Sequence, residues 1–427
     1  MRFKTSFIGL LALQFITGMA WGQIGTQPSR IDSLLKFNRG IQSARASYHS
    51  AEAESRANGV LPDPMLELTS SISPVQTRNG PIDHQIMLAQ KFPLWGKLKR
   101  QRAIAEIKRD IAFQTYQNIV VTTVYQSEEI WANYQKLEQS LAILATYSDE
   151  LESFRKVALT HYSTGQGDTQ HPILKLQIEQ SLIQSKTNAL QSQLDGALHG
   201  LQALFDGHLA MPDSTSRDVE LPNPGFSEAD WLNLANRINP MLQIKRSMEQ
   251  MALIMTELNQ KQNYPDLTAG LSYSIVGPTK LGGAVESGKD AVGVKVGLNM
   301  PIWVKRNQAR VQAAEINQTA SAASTAATWN QIKSTIQSQL QDLVEIEETC
   351  ALYEDRLIPE TKQMVGSAYS AYQTGKISFL DLLDSQRMSF NVRMEYENVK
   401  ASRKIAAAKL YRAVGLVGAN GELPNEN

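Results

Sequence analysis

The chain has 427 residues with Lys+Arg and Asp+Glu totals of 42 each, so it has no basic excess with which to hold a nucleic-acid backbone. Its only cysteine, Cys350, excludes an internal disulfide framework and a zinc cluster built on thiolates. The 6 histidines are scattered without metal-ligand spacing, and neither a Gly-rich phosphate loop nor a nucleophile–base pair stands out. The reading is therefore of a protein that is not an enzyme and carries no cofactor or metal.

At the N-terminus, Met1-Arg2-Phe3-Lys4 is basic, Phe7 to Ala20 is apolar, and Ala20-Trp21-Gly22 ends the stretch in small residues. This is the pattern of a secretory signal peptide over 1–22. No cysteine lies near the expected cleavage site, so no lipid anchor is expected. Past Gly22 no run approaches the roughly eighteen apolar residues of a membrane helix. If the mature chain spans a membrane, it must do so with strands.

A first unit is expected over 23–210. After an initial helix comes a strand pair over about 64–92. Leu66, Leu68 and Ile72 oppose Glu67, Thr69 and Ser71; Ile86, Leu88 and Phe92 oppose Gln85, Ala89 and Lys91. Pro74–Ile82 reads as the solvent loop between them. Lys97 to Thr164 then gives 68 residues without Gly or Pro, about 100 Å of continuous helix. Ile130, Tyr134, Leu137, Leu141, Leu144, Leu151, Phe154 and Ala158 advance by 4 and 3, with Ser148 at the missing step. Such a 3.5-residue seam marks helices that pack side by side over a long distance. Tyr162-Ser163-Thr164-Gly165 ends the segment and a second helical pattern starts near Pro172, so about 97–206 reads as an antiparallel hairpin.

A linker rich in Pro and small polar residues covers 211–226, and a second unit is expected over 227–415. Its early helix carries Met241, Met248, Met251 and Met255, read as packing rather than soft-metal ligands. Its strand pair, about 267–300, alternates cleanly. Leu267, Ala269, Leu271, Tyr273 and Ile275 share one face, as do Val292, Val294, Val296, Leu298 and Met300. Lys305 to Ile358 gives 54 more residues without Gly or Pro, and with the stretch Lys376 to Val414 it makes a second hairpin over about 305–414. Residues 416–427 form a tail.

The second unit repeats the first. Asn38 and Ile41 match Asn239 and Leu242; Pro62-Asp63 matches Pro265-Asp266. Phe92-Pro93-Leu94-Trp95 matches Met300-Pro301-Ile302-Trp303, and Tyr162-Ser163-Thr164-Gly165 matches Tyr372-Gln373-Thr374-Gly375. The offset drifts from 201 to 210, as small insertions after a duplication produce. The strands have the weak signature of outer-membrane strands. A spanning sheet can have no free edge, and a barrel needs at least about eight strands. Four strands per chain therefore call for identical subunits closed around a rotation axis. A soluble hairpin packed on helix is the alternative, but too little sequence remains to cover it.

Leu61-Pro62-Asp63-Pro64, Phe92-Pro93-Leu94-Trp95-Gly96-Lys97-Leu98 and the two Tyr-x-Thr-Gly turns resemble the TolC-like outer membrane factors over nearly the whole mature chain. The likeness is greatest to the branch serving heavy-metal efflux. It implies a mostly α fold with a small β part: a homotrimeric α-barrel of long helical hairpins and a 12-stranded β-barrel in outer-membrane lipid. It further implies a periplasmic adaptor (membrane fusion) protein, an inner-membrane pump of the RND type, and passive export through the duct. By the resemblance Asp381 and Asp384 ring the tunnel entrance with Tyr372 in the gate, and the tips at Thr164, Gly165, Thr374 and Gly375 meet the adaptor. Ile377 stands where a family member has a basic gate residue. A local alternative is that Ser378 and Asp381 cap a helix. Drug efflux or type I protein secretion would use the same duct, and a periplasmic structural coiled-coil protein is the rival from another class.

Overall fold

A computed structural model describes residues 30–163, 171–208, 226–279, 282 and 286–417. The expected signal peptide, the linker up to 225, the first hairpin turn and the tail beyond 417 lie outside them. Two short helices, α1 (Arg30–Phe37) and α2 (Arg39–Ala57), lead into strands β1 (Met65–Ser70), β2 (Gln76–Thr77) and β3 (Gly80–Phe92). The hairpin α3 (Lys97–Ser163) and α4 (His171–Leu204) follows, then α5 (Glu228–Ile238) and α6 (Pro240–Lys261). Strands β4 (Leu267–Val276) and β5 (Ala291–Leu298) precede α7 (Val304–Leu352), α8 (Ile358–Gln373) and α9 (Phe379–Val414).

The same hydrogen bonds recur at the matched asparagines. Asn38 Oδ1 accepts from the Ile41 amide at 3.0 Å and caps α2, while its Nδ2 donates to the Leu204 carbonyl at 2.9 Å. Asn239 Oδ1 accepts from the Leu242 amide at 3.0 Å and caps α6, while its Nδ2 donates to the Ala413 carbonyl at 2.8 Å. Each asparagine therefore ties a helix start to the far end of the hairpin in its own half. Both are buried, as are Ile41 and Leu242 beneath them. A cap is worth about 1 kcal/mol, and here it also fixes where the hairpin returns.

Among the described residues no single globular core forms, and the buried side chains gather in three clusters strung along the helices. One, at the second turn, joins Leu144, Tyr147, Leu151 and Phe154 of α3 to Leu176 of α4 and Leu382, Leu383 and Phe390 of α9. A second packs Leu34 and Ile41 on Val120, Val121 and Val124. The third packs Trp231 and Ala235 on Ile336, Leu343 and Leu410.

The seam of α3 differs from the sequence reading at four positions. Leu137, Ser140, Leu144, Tyr147, Leu151, Phe154 and Ala158 are buried, whereas Ile130, Tyr134, Leu141 and Ser148 are only half-buried. Tyr147 enters the seam because its hydroxyl has a buried acceptor, and Ser140 because a small side chain lets helices approach. Pro359 lies inside the expected hairpin and does not stop the helix; a π-helical turn, Tyr353–Leu357, carries α7 into α8. The Ile358 amide donates to the Tyr353 carbonyl five residues back, one widened turn before the residue that lacks an N–H. Of the four methionines on α6, Met251 is half-buried, whereas Met241, Met248 and Met255 stay exposed in the protomer.

The main sheet runs β1-β3-β4-β5, all antiparallel, with β2 a short arm on β3. Thus β3 begins at Gly80, inside the stretch read as a loop, and β1 ends at Ser70, leaving Ile72 outside it. Thr77 Oγ1 donates to the Gly80 carbonyl at 2.6 Å and tightens the turn between arm and strand, which a loop reading cannot anticipate.

Candidate functional site

Register builds the sheet's two faces. Leu66, Leu88, Leu271 and Val294 stand in one row across the strands, and Leu68, Ile86, Tyr273 and Val292 in the next. All eight are exposed, Leu66 at 71% and Val294 at 77%. The opposite face carries Glu67, Met87, Ser272 and Gly293 in one row and Thr69, Gln85, Ser274 and Ala291 in another. A large bare apolar face backed by a polar one marks a surface that meets something other than water. Strands β1 and β5 are the sheet's edges and have no partner on their outer sides among the described residues. At the far end, the Tyr273 hydroxyl donates to Asp290, whose carboxylate also accepts from the Val276 amide at 3.0 Å.

The sheet meets the helices at a buried ion pair. Lys97 Nζ, on the first residue of α3, lies 2.6 Å from Asp266 Oδ1 just before β4, and Lys91 Nζ approaches Oδ2 at 3.2 Å. Lys97 also donates to the Tyr264 carbonyl at 2.7 Å, and Trp95 Nε1 to the Pro265 carbonyl at 3.0 Å. Trp95 and Gly96 both have positive φ, 63° and 74°, which turns the chain sharply from strand to helix. Burial pushes the Asp266 carboxyl up, but the lysine hydrogen bonds outweigh it and hold it below its ordinary value. The sequence contains both partners, in Pro265-Asp266 and Gly96-Lys97, yet nothing in either motif signals their pairing.

At the hairpin end, only the second turn falls within the described residues. Thr164 and Gly165 lie outside them. Gly375 has φ +70°; its amide donates to the Tyr372 carbonyl at 3.0 Å and the Lys376 amide to the Ala371 carbonyl at 2.9 Å. These are the two bonds of a Schellman cap, with glycine at the left-handed position. Thr374 Oγ1 donates to the Ala371 carbonyl at 3.0 Å. Tyr372 is buried edge-on to Phe379, with ring centroids 5.6 Å apart.

Asp381 and Asp384 are both exposed, but their surroundings differ. Asp381 is the acidic half of a capping box: its Oδ2 accepts from the Ser378 amide at 3.0 Å and hydroxyl at 2.8 Å. The Asp384 side chain is 73% exposed, with Arg387 Nη1 at 3.6 Å. Arg387 is held mainly by buried Glu179 of α4, whose Oε2 lies 2.6 Å away and raises the guanidinium pKa. The Tyr147 hydroxyl donates to Glu179 Oε1 at 2.9 Å, so one carboxylate ties α3, α4 and α9 together. Burial first, and Glu179 second, push the Tyr147 phenol up. Sequence reasoning missed this network; its one signal was an acid within an otherwise apolar helical stripe.

Long helical hairpins thus carry a four-stranded sheet with one apolar face and two bare edges. Residues 231–416 match the sequence model of the outer membrane efflux protein family. Solved structures bear the fold out. CusC aligns with 18% identity over 90% of both chains at a TM-score of 0.76. The outer-membrane channel OprN aligns with 16% identity over 90% of this chain and 88% of its own at 0.75. VceC of Vibrio cholerae aligns with 17% identity over 90% and 95% at 0.75. No curated protein sequence is similar enough to match. The chain thus has the fold of the TolC-like outer membrane factors, as its motifs indicated.

Proposed function

We propose that the protein is the outer-membrane outlet duct of a tripartite efflux system, a homotrimer whose chains each give four strands to a 12-stranded barrel. The observation that carries this is the sheet, with its exposed apolar face and two unpaired edges. Bare backbone groups cost several kcal/mol each in hydrocarbon, so the edges must pair with copies of one another. Leu174, Ile178 and Leu182, four residues apart on α4, form a further exposed apolar stripe that a neighbouring helix would cover. In this reading the helices form the periplasmic tunnel, the turn at Gly375 meets a periplasmic adaptor, and an inner-membrane pump of the RND type supplies the cargo. The motif resemblance makes heavy-metal cations the expected cargo; the outlet of a drug-efflux or type I protein secretion system is the alternative, which identifying the co-purifying pump decides.

The test is extraction and crosslinking. The protein should leave the membrane only with detergent, and crosslinking in mild detergent should stop at three subunits. A folded, membrane-inserted monomer overturns the barrel. Release without detergent would instead indicate a periplasmic structural coiled coil.

A further inference from the structure

Both halves of the chain build the same strand hairpin. An offset of 203 residues carries Asp63 onto Asp266, and one of 208 carries Phe92 onto Met300. Applied to the pair Met65–Ala89, these offsets give Thr268–Gly297, a pair that the structure contains. The seam between the halves, where β3 meets β4, is therefore a template for the one seam that the chain leaves open, between β5 and a β1 strand.

Resting on the trimer reading, we infer that β5 pairs antiparallel with β1 of a second copy, Val296 opposite Leu68 of the partner subunit, and that Lys305 forms an ion pair with Asp63 of the partner subunit. Leu88 lies opposite Leu271 in the template, and the offsets convert that pair into Val296 and Leu68. The chemistry agrees independently: Val296 and Leu298 on one side, Leu68 and Leu66 on the other, all fall on the apolar face. A one-residue slip would bring Glu67 onto that face. The ion pair follows from Lys97 and Asp266, 2.6 Å apart where α3 meets the start of β4. Lys305 holds the place of Lys97 and Asp63 that of Asp266. Both are exposed and have no ion pair within the protomer among the described residues. The helices allow it: α3 lies along α6, so α7 will lie along α2 of the next copy. Only the lysine is carried over, since the left-handed Trp95–Gly96 step is not repeated at Trp303, whose φ is −81°.

Register is tested by oxidation in a Cys350→Ala background. Leu68→Cys with Val296→Cys should give covalent dimers and trimers. Leu68→Cys with Val294→Cys, or with Leu298→Cys, should give little. A non-covalent trimer in which a control pair links, or no pair links, overturns the register while leaving the trimer intact. Absence of a trimer in unsubstituted protein overturns both. For the ion pair, Asp63→Lys and Lys305→Asp should each lose trimer recovered in mild detergent, and the double reversal should regain it. Full trimer yield in both single variants, or none in the double, overturns the pairing.

Discussion

The two aspartates at the hairpin end are not equivalent. Asp381 spends its carboxylate on the Ser378 amide and hydroxyl, so the capping alternative is realised there. Asp384 takes no part in that cap and, with its side chain 73% exposed, is the better placed of the two to act on a passing cation. Asp381→Ala should lower stability by about 1 kcal/mol, the worth of a cap, read as a drop in the melting temperature of the purified trimer. Asp384→Asn should change stability by less than about 0.5 kcal/mol yet weaken block of the channel by multivalent cations added on the periplasmic side. Clefts lined by one sign of charge concentrate counter-ions, and each chain would add one such carboxylate at the entrance. Equal block in wild type and Asp384→Asn would show that the residue has no part in the entrance. Tyr372 is already packed on Phe379 in the protomer, so a gate role would have to act through that packing or through its movement.

Among the elements, the junction of sheet and helices turns on Lys97 and Asp266. Removing one member of a buried pair strands the other, at a cost of about 3–5 kcal/mol. Asp266→Asn should therefore destabilise the protein by that order in denaturant melts, and a loss below about 1 kcal/mol would mean that the Tyr264 carbonyl and solvent suffice for Lys97. The pH dependence has a definite sign. Asp266 has a depressed folded pKa, so its contribution is present above the unfolded carboxylate value, about 3.9, and is lost as pH falls through the folded one. Stability of wild type should thus fall in acid below about pH 4, and the fall should be shallower in Asp266→Asn. How legible such elements were depended on their chemistry. Helices without Gly or Pro and strands alternating by twos declare themselves, because period and punctuation are local properties. Tyr147 in the seam was not legible, since its burial depends on Glu179 from another helix. Nor was the π-helical turn before Pro359, which absorbs a residue that usually ends a helix. The early start of β3 escaped for a similar reason: Gly80, Pro81 and Asp83 are turn residues recruited into a strand by the pairing of Ile82 with Val276.

The shape of the whole molecule was legible because bare edges and long hairpins follow from counting strands and breaks, whereas the hairpin-end chemistry rests on contacts that counting cannot reach. At this scale Gly375 gives a separate prediction. A Cβ there would meet nothing within 4 Å, so substitution strains only the backbone at φ +70°, by about 1–2 kcal/mol for an L residue. If the proposed adaptor docks at this tip, Gly375→Trp should leave trimer and membrane insertion intact while abolishing efflux, because the added bulk meets nothing within the protomer. Resistance to the exported compound that survives the substitution would remove this tip from the docking surface. The open edges also have a kinetic consequence. A protomer with one bare strand at each side still has two after joining a second copy, so the dimer gains one seam of the final three. The third copy closes two seams at once. In the proposed trimer, assembly would therefore be steeply cooperative in concentration, and any substitution at the β5–β1 seam would be felt three times in each ring. A modest defect per seam should appear as near-total loss of channels in dilute membranes, and be rescued simply by making more protein.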